Sequence, residues 1–239
     1  MFRILFPKNK SIFKEIIFLS YPVVLSNVSR VLMSIFDVAM VGRLGPEALA
    51  ATGMGGMLVW APMSIALGIR TAVQTVSSRR LGQKKETEAG LAFHNGLIMA
   101  AVFGVPVTIL GWSFADTIVP FFLTDAKTIS LAIDYTSIVF LSLLFSVFGF
   151  VFVGFFTGIE KTKFHMTVTI VSNLINLYLN AALIYGSDGI EDFFKESGSG
   201  FSFLSVLWGW TTFPALGVKG AAIATLVASI WMMFHYFIY

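Results

Sequence analysis

Six runs of mostly apolar residues, each long enough to cross a bilayer, constrain this chain more than any other feature. They cover about 16–42, 50–78, 91–113, 128–156, 164–186 and 217–238, against the roughly 20 residues a helix needs to span the hydrocarbon core. Hydrophobic residues make up 56% of the 239 and charged residues 12%, about half the ~25% charge of a soluble domain. A water-facing surface cannot be built from that inventory, so lipid is the solvent for most of the chain. Backbone polar groups in lipid must be satisfied within their own element, which selects helices for runs of this length. The expectation is an all-α, polytopic integral membrane protein built as a six-transmembrane-helix bundle. It comprises a basic N-terminal segment at 1–15 and a helical unit at 16–239. Pro22, Pro62 and Pro106 fall inside spans, where neighbouring helices can satisfy the freed backbone groups.

Orientation follows from where the cations sit. The segments 1–15, 79–90 and 157–163 hold ten Lys and Arg, whereas the alternating connections hold four: Arg43, Lys127, Lys195 and Lys219. Basic loops stay on the cytoplasmic side. Both termini are therefore expected in the cytoplasm of a cell inner (plasma) membrane protein, which an even number of spans allows. The long connection 187–216 then lies outside as an extracytoplasmic insertion. Its first part, SDGIEDFFKESGSG, reads as a polar loop; its second, FSFLSVLWGWTTFP, reads as an interfacial or re-entrant flap carrying Trp208 and Trp210.

Several kinds of chemistry find no support. No cysteine is available for a disulfide, a thiolate metal site or a nucleophile. His94, His165 and His235 are not at metal-ligand spacing. No Walker or dinucleotide-binding glycine motif is present, and no Ser or Asp-pair arrangement suggests a hydrolase. A net charge of +3 is too small to imply nucleic acid. Neither an enzyme nor a bound cofactor is expected; the partner is the lipid bilayer.

Ionisable groups inside a membrane cost roughly 2.5–3.5 kcal/mol each on insertion scales and mark functional sites. Within the spans, Arg30, Asp37 and Arg70 stand out. Asn27, Arg30, Ser34 and Asp37 share one helical face, at i, i+3, i+7 and i+10. Arg30 and Asp37 are about 10 Å apart along the axis, long for an ion pair. In the fifth span Thr169, Asn173, Asn176 and Asn180 repeat at i, i+4, i+7 and i+11. Such amides serve either as interhelical hydrogen-bond glue or, with Asp37 supplying charge, as hard oxygen ligands for Na⁺ or a proton. Arg70, with Gln74 one turn on, either snorkels toward the basic face or lines a cavity.

Five segments in order resemble the N-terminal half of a multidrug and toxic compound extrusion (MATE) transporter. They are DVAMVGRLGPEALAATG, GIRTAVQTVSSRRLGQ, FFTGIEKTKF, NLINLYLNAALIYG and LGVKGAAIATLVA. The resemblance implies one lobe of a twelve-helix secondary antiporter that exports organic cations or drugs against H⁺ or Na⁺. By the same resemblance Asp37 is the coupling acid, Asn176 and Asn180 are its partners and a possible Na⁺ site, and Gln74 and Tyr135 line the cavity. Two positions depart from the family pattern. Asn180 is an amide where some members carry an acid, and Arg70 stands where a small residue is usual. Family members are about twice as long, so the resemblance also implies a C-terminal lobe, either in a longer chain or as a second copy. The alternatives are a lipid or oligosaccharide flippase of the same superfamily, and a truncated, non-transporting fragment.

Overall fold

A computed structural model of the chain describes residues 10–196, 206–209 and 211–238. Six helices in it are long and apolar enough to cross a membrane. They are α1 (Lys10–Gly42), α2 (Pro46–Gly82), α3 (Glu86–Ser113), α5 (Ala126–Gly158), α6 (Thr162–Glu196) and α7 (Val218–Phe237). A short α4 (Ala115–Ile118) and a single 3-10 turn (Val119–Phe121) bridge α3 to α5. The six expected spans are all present; the first five are longer than expected, α6 by ten residues at its end, and α7 is one residue shorter at each end. No strand occurs among the described residues.

The most apolar helix, α5, is also the most buried, packing against α2, α3 and α7. Its interior residues Leu143, Val147 and Val151 are fully buried, and Phe140 and Phe150 nearly so. Close approach of α5 to α2 depends on Gly154 and Gly158, spaced four apart on one face. A Cβ on Gly154 would collide with the Arg70 carbonyl, and one on Gly158 would lie 2.8 Å from the Gln74 carbonyl. Small residues at this spacing let membrane helices meet backbone to backbone.

Helix α1 behaves differently: it leans on α6 and barely touches α2 or α7. Val31, Ile35 and Val38 on its outer side are exposed, as a lipid-facing surface would be. Polar ties hold it in place. Asn173 Nδ2 donates to Ser29 Oγ at 2.8 Å, and Tyr185 OH donates to the Met40 carbonyl at 2.7 Å. The gap left between α1 and α2 is where the cavities lie.

The insertion 187–216 corrects one expectation. Residues 187–196 are helical rather than a loop, because α6 continues to Glu196 across a break at Gly186 (φ 71°, ψ 178°). That conformation suits glycine and releases carbonyls from the helix ladder. The returning chain re-pairs them: Leu216 N–H donates to the Leu183 carbonyl at 2.8 Å and Gly217 N–H to the Ile184 carbonyl at 3.2 Å. Trp208 stacks on Tyr178 with ring centroids 5.0 Å apart, and its indole donates to the Tyr178 carbonyl at 2.9 Å. The expected flap thus returns along the last turns of α6 and starts α7. Residues 1–9, residues 197–205 of the insertion, Trp210 and Tyr239 lie outside the described residues.

Ion pairs sit at the helix ends. Arg80 and Lys85 meet Glu88 at 2.9 and 2.8 Å, and Lys219 meets Asp134 at 3.0 Å. Exposed pairs of this kind contribute at most about 1 kcal/mol. Arg30, Asp37 and Arg70 take part in none of the ion pairs among the described residues.

Candidate functional site

Asp37 lies in the last turns of α1, where that helix faces α6. Asn180 Nδ2 donates to Asp37 Oδ1 and, at 3.1 Å, to Asn176 Oδ1. Asn176 and Asn180 are one turn apart on α6 and both buried, so the helix period stacks the two amides on one face, with Asn180 reaching the carboxylate and Asn176 bonded to Asn180. The side-chain oxygen of Asn180, Oδ1, is buried without a hydrogen-bond partner. A carboxylate with a free lone pair, flanked by a buried and unpartnered amide oxygen, is an oxygen-rich site for a proton or a hard cation. Among the described residues, no group of three or more His, Cys, Asp or Glu could hold a metal ion.

Two cavities meet at this carboxylate. The smaller, about 200 Å³, includes Asp37, Ser34, Thr52, Tyr135, Asn180 and Thr225 in its walls. The larger, about 380 Å³, opens between α1, α2, α5, α6 and α7. Its polar wall carries Arg30, Ser34, Asp37, Asn173, Asn176 and Thr225; its apolar wall includes Met33, Val59, Trp60, Met63, Phe150 and Met232. A third recess follows the α1–α2 cleft further and contains Gln74 with Ser20, Val23 and Val24. Asp37, Asn176, Asn180, Arg30, Ser34, Tyr135 and Asn173 thus gather around two adjoining spaces. Gln74 borders the separate recess, and Asn27 is exposed and borders none of the three.

The MatE family model matches residues 22–182, most of the chain and all of the α1 and α6 site residues just described. The chain belongs to the MatE family. Among its relatives, a protein named Probable multidrug resistance protein NorM from Idiomarina loihiensis is 25% identical over 84% of this chain. A protein of the same name from Bacillus cereus is 26% identical over 91% of it. In both cases the match covers 43% of the relative, so this MatE chain spans less than half the length of the relatives it matches. Solved MATE structures share the fold. One described as an outward-facing multidrug resistance MATE family transporter of the MOP superfamily superposes with a TM-score of 0.76 at 23% identity. It covers 92% of this chain and 43% of that one. A Pyrococcus furiosus MOP superfamily transporter, described as having a binding pocket of reverse polarity, gives the same values.

Several site features of this MatE protein carry only weak sequence signals. Thr225, on α7, lies in the walls of both cavities; a single hydroxyl in an Ala- and Val-rich run does not announce that. His165, scattered in the sequence, is buried and shares a 2.7 Å hydrogen bond with Tyr236 OH, joining α6 to α7. Ser146 donates to Ser229 at 3.2 Å across α5 and α7. Each pair joins residues distant in sequence, so no local periodicity could reveal it.

Proposed function

We propose that this chain is one six-helix lobe of a secondary antiporter that exports organic compounds in exchange for H⁺ or Na⁺, with Asp37 holding the coupling cation. The observation that carries this reading is the carboxylate of Asp37 at the junction of two cavities, held by Asn180 beside that residue's unpartnered oxygen. An intramembrane carboxylate is costly unless neutralised, by a proton or by a cation with oxygen ligands. Asn180 and Tyr135 border the smaller cavity, Asn176 the larger, and Thr225 both, so amide and hydroxyl groups flank Asp37 on either side. An organic molecule in the larger cavity and a cation in the smaller one both meet Asp37. Filling one site changes the charge seen by the other, which is the differential interaction that coupling requires.

Alternating access arises from rocking of one repeat against another around a central site. The relatives are more than twice this chain's matched length, so the working transporter pairs this lobe with a second six-helix unit. The concentration of Lys and Arg in alternate connections supports a plasma-membrane protein with both termini on the cytoplasmic side. The test is export of a fluorescent amphiphile from membrane vesicles bearing the protein under an imposed H⁺ or Na⁺ gradient. Gradient-driven export that Asp37→Asn abolishes supports the reading. Export that proceeds undiminished in Asp37→Asn overturns the role of Asp37.

A further inference from the structure

Two guanidinium groups, Arg30 on α1 and Arg70 on α2, have no protein partner among the described residues. Arg30, on α1, borders the larger cavity. Arg70, half-buried on α2, is two helical turns from Met63, which lines that cavity, and one turn from Gln74, which lines the recess beyond it. Helical spacing therefore puts Arg70 on the same side of α2 as both of those lining residues. Each guanidinium is close enough to feel the other's charge, and both act electrostatically on Tyr236 and His165.

The nearby titratable groups offer no counter-charge. Tyr236 and His165 are hydrogen-bonded to each other. The one acid in the cavity wall, Asp37, lies two turns along α1 and bonds to Asn180. Arginine does not neutralise itself by losing a proton in proteins. Two neighbouring like charges without a counter-charge call for an anion, and the planar guanidinium fork suits a phosphate or carboxylate group. The same charges work against a simple organic cation. Below the arginines the cavity wall is apolar, formed by Met33, Val59, Met63, Phe150 and Met232.

Building on the transporter reading above, we propose that the cavity takes an amphipathic molecule whose phosphate or carboxylate group sits between Arg30 and Arg70. Its hydrocarbon part lies along the apolar wall. Lipid-like amphiphiles and free oxyanions share this head-group chemistry, and length separates them: only an amphiphile uses the apolar wall.

The test is calorimetric titration of the purified chain in phosphatidylcholine nanodiscs with dodecyl phosphate, dodecyltrimethylammonium and inorganic phosphate. Dodecyl phosphate is expected to bind about tenfold or more tightly than either of the others. Arg30→Gln and Arg70→Gln each weaken it by about tenfold or more, Arg30→Lys by less, and Arg79→Gln, on the exposed basic end, leaves it unchanged. Equal binding of the anionic and cationic amphiphiles overturns the proposal, and that comparison needs no variant to fold. Inorganic phosphate binding as tightly as dodecyl phosphate overturns the amphiphile. A protein whose Na⁺ or H⁺ response depends on Asp37 but which binds both amphiphiles equally refutes this inference and leaves the transporter reading standing.

Discussion

Asn180 joins two polar groups with one side chain: its amide nitrogen bridges Asp37 and Asn176, and its oxygen is left facing no partner. Asn180→Ala removes the donor to a half-buried carboxylate and to a buried amide at once. The expected loss is about 1–3 kcal/mol of stability, the usual consequence of leaving a buried polar group unpaired, read from thermal unfolding in nanodiscs. Asn180→Asp places a second acid beside Asp37 and is expected to keep or strengthen the response to cations while losing the bridge. The sequence made Asp37, Asn176 and Asn180 legible because polar residues at helical spacing in an apolar run are conspicuous. Thr225 and the His165–Tyr236 pair were not legible, because their significance arises only when α7 packs against α5 and α6.

At the scale of elements, three sites test the construction. Gly154→Leu drives a branched side chain into the Arg70 backbone. It is expected to cost about 1–3 kcal/mol as overpacking and to shift Arg70 along with its helix. Gly186→Ala places a Cβ at a positive φ and 2.8 Å from the Ala215 backbone nitrogen. It is expected to lower the unfolding temperature and to increase hydrogen exchange at Leu216 and Gly217. Asp125 caps α5 in the connection before it, accepting from Thr128 N–H at 2.8 Å and Thr128 Oγ at 2.7 Å. The Thr128 backbone bond, then its hydroxyl, hold the Asp125 carboxyl below the ordinary carboxylate range. A depressed folded value means the cap stabilises fully above the unfolded pKa, about 3.9, and loses its contribution as pH falls through the folded value. Asp125→Ala should therefore lower the unfolding temperature between pH 5 and 8 by an amount that shrinks in stronger acid. The six spans were legible from apolar length alone. The helical continuation to Glu196 was not, since Ser, Asp and Gly at 187–189 carry loop composition and only the docking of 211–217 makes a helix stable there.

At the scale of the molecule, the loosely held α1 and the α5-centred core divide the lobe, and the cavities occupy the seam between them. Asp37 stands near one end of that seam, with Arg30 and Arg70 toward the other, so the seam is electrically polarised along its length. A cation and an amphiphile with an anionic head group then have separate places. The MatE fold is shared with transporters about twice this length, and pairing with a second six-helix unit would close the open side of the seam. The central claim is that Asp37 holds the coupling cation, and the isolated lobe can test it without completing a transport cycle. Unfolding temperature is to be measured in nanodiscs while choline is replaced by Na⁺ at constant ionic strength, and again while pH is lowered, for the unaltered chain and for Asp37→Asn. At tenfold excess over Kd, cation binding adds about 1.4 kcal/mol, a rise of about 3–6 °C for a chain of this size. The account predicts that rise with at least one of the two ions in the unaltered chain and its loss in Asp37→Asn; an equal response of Asp37→Asn to both ions would contradict it.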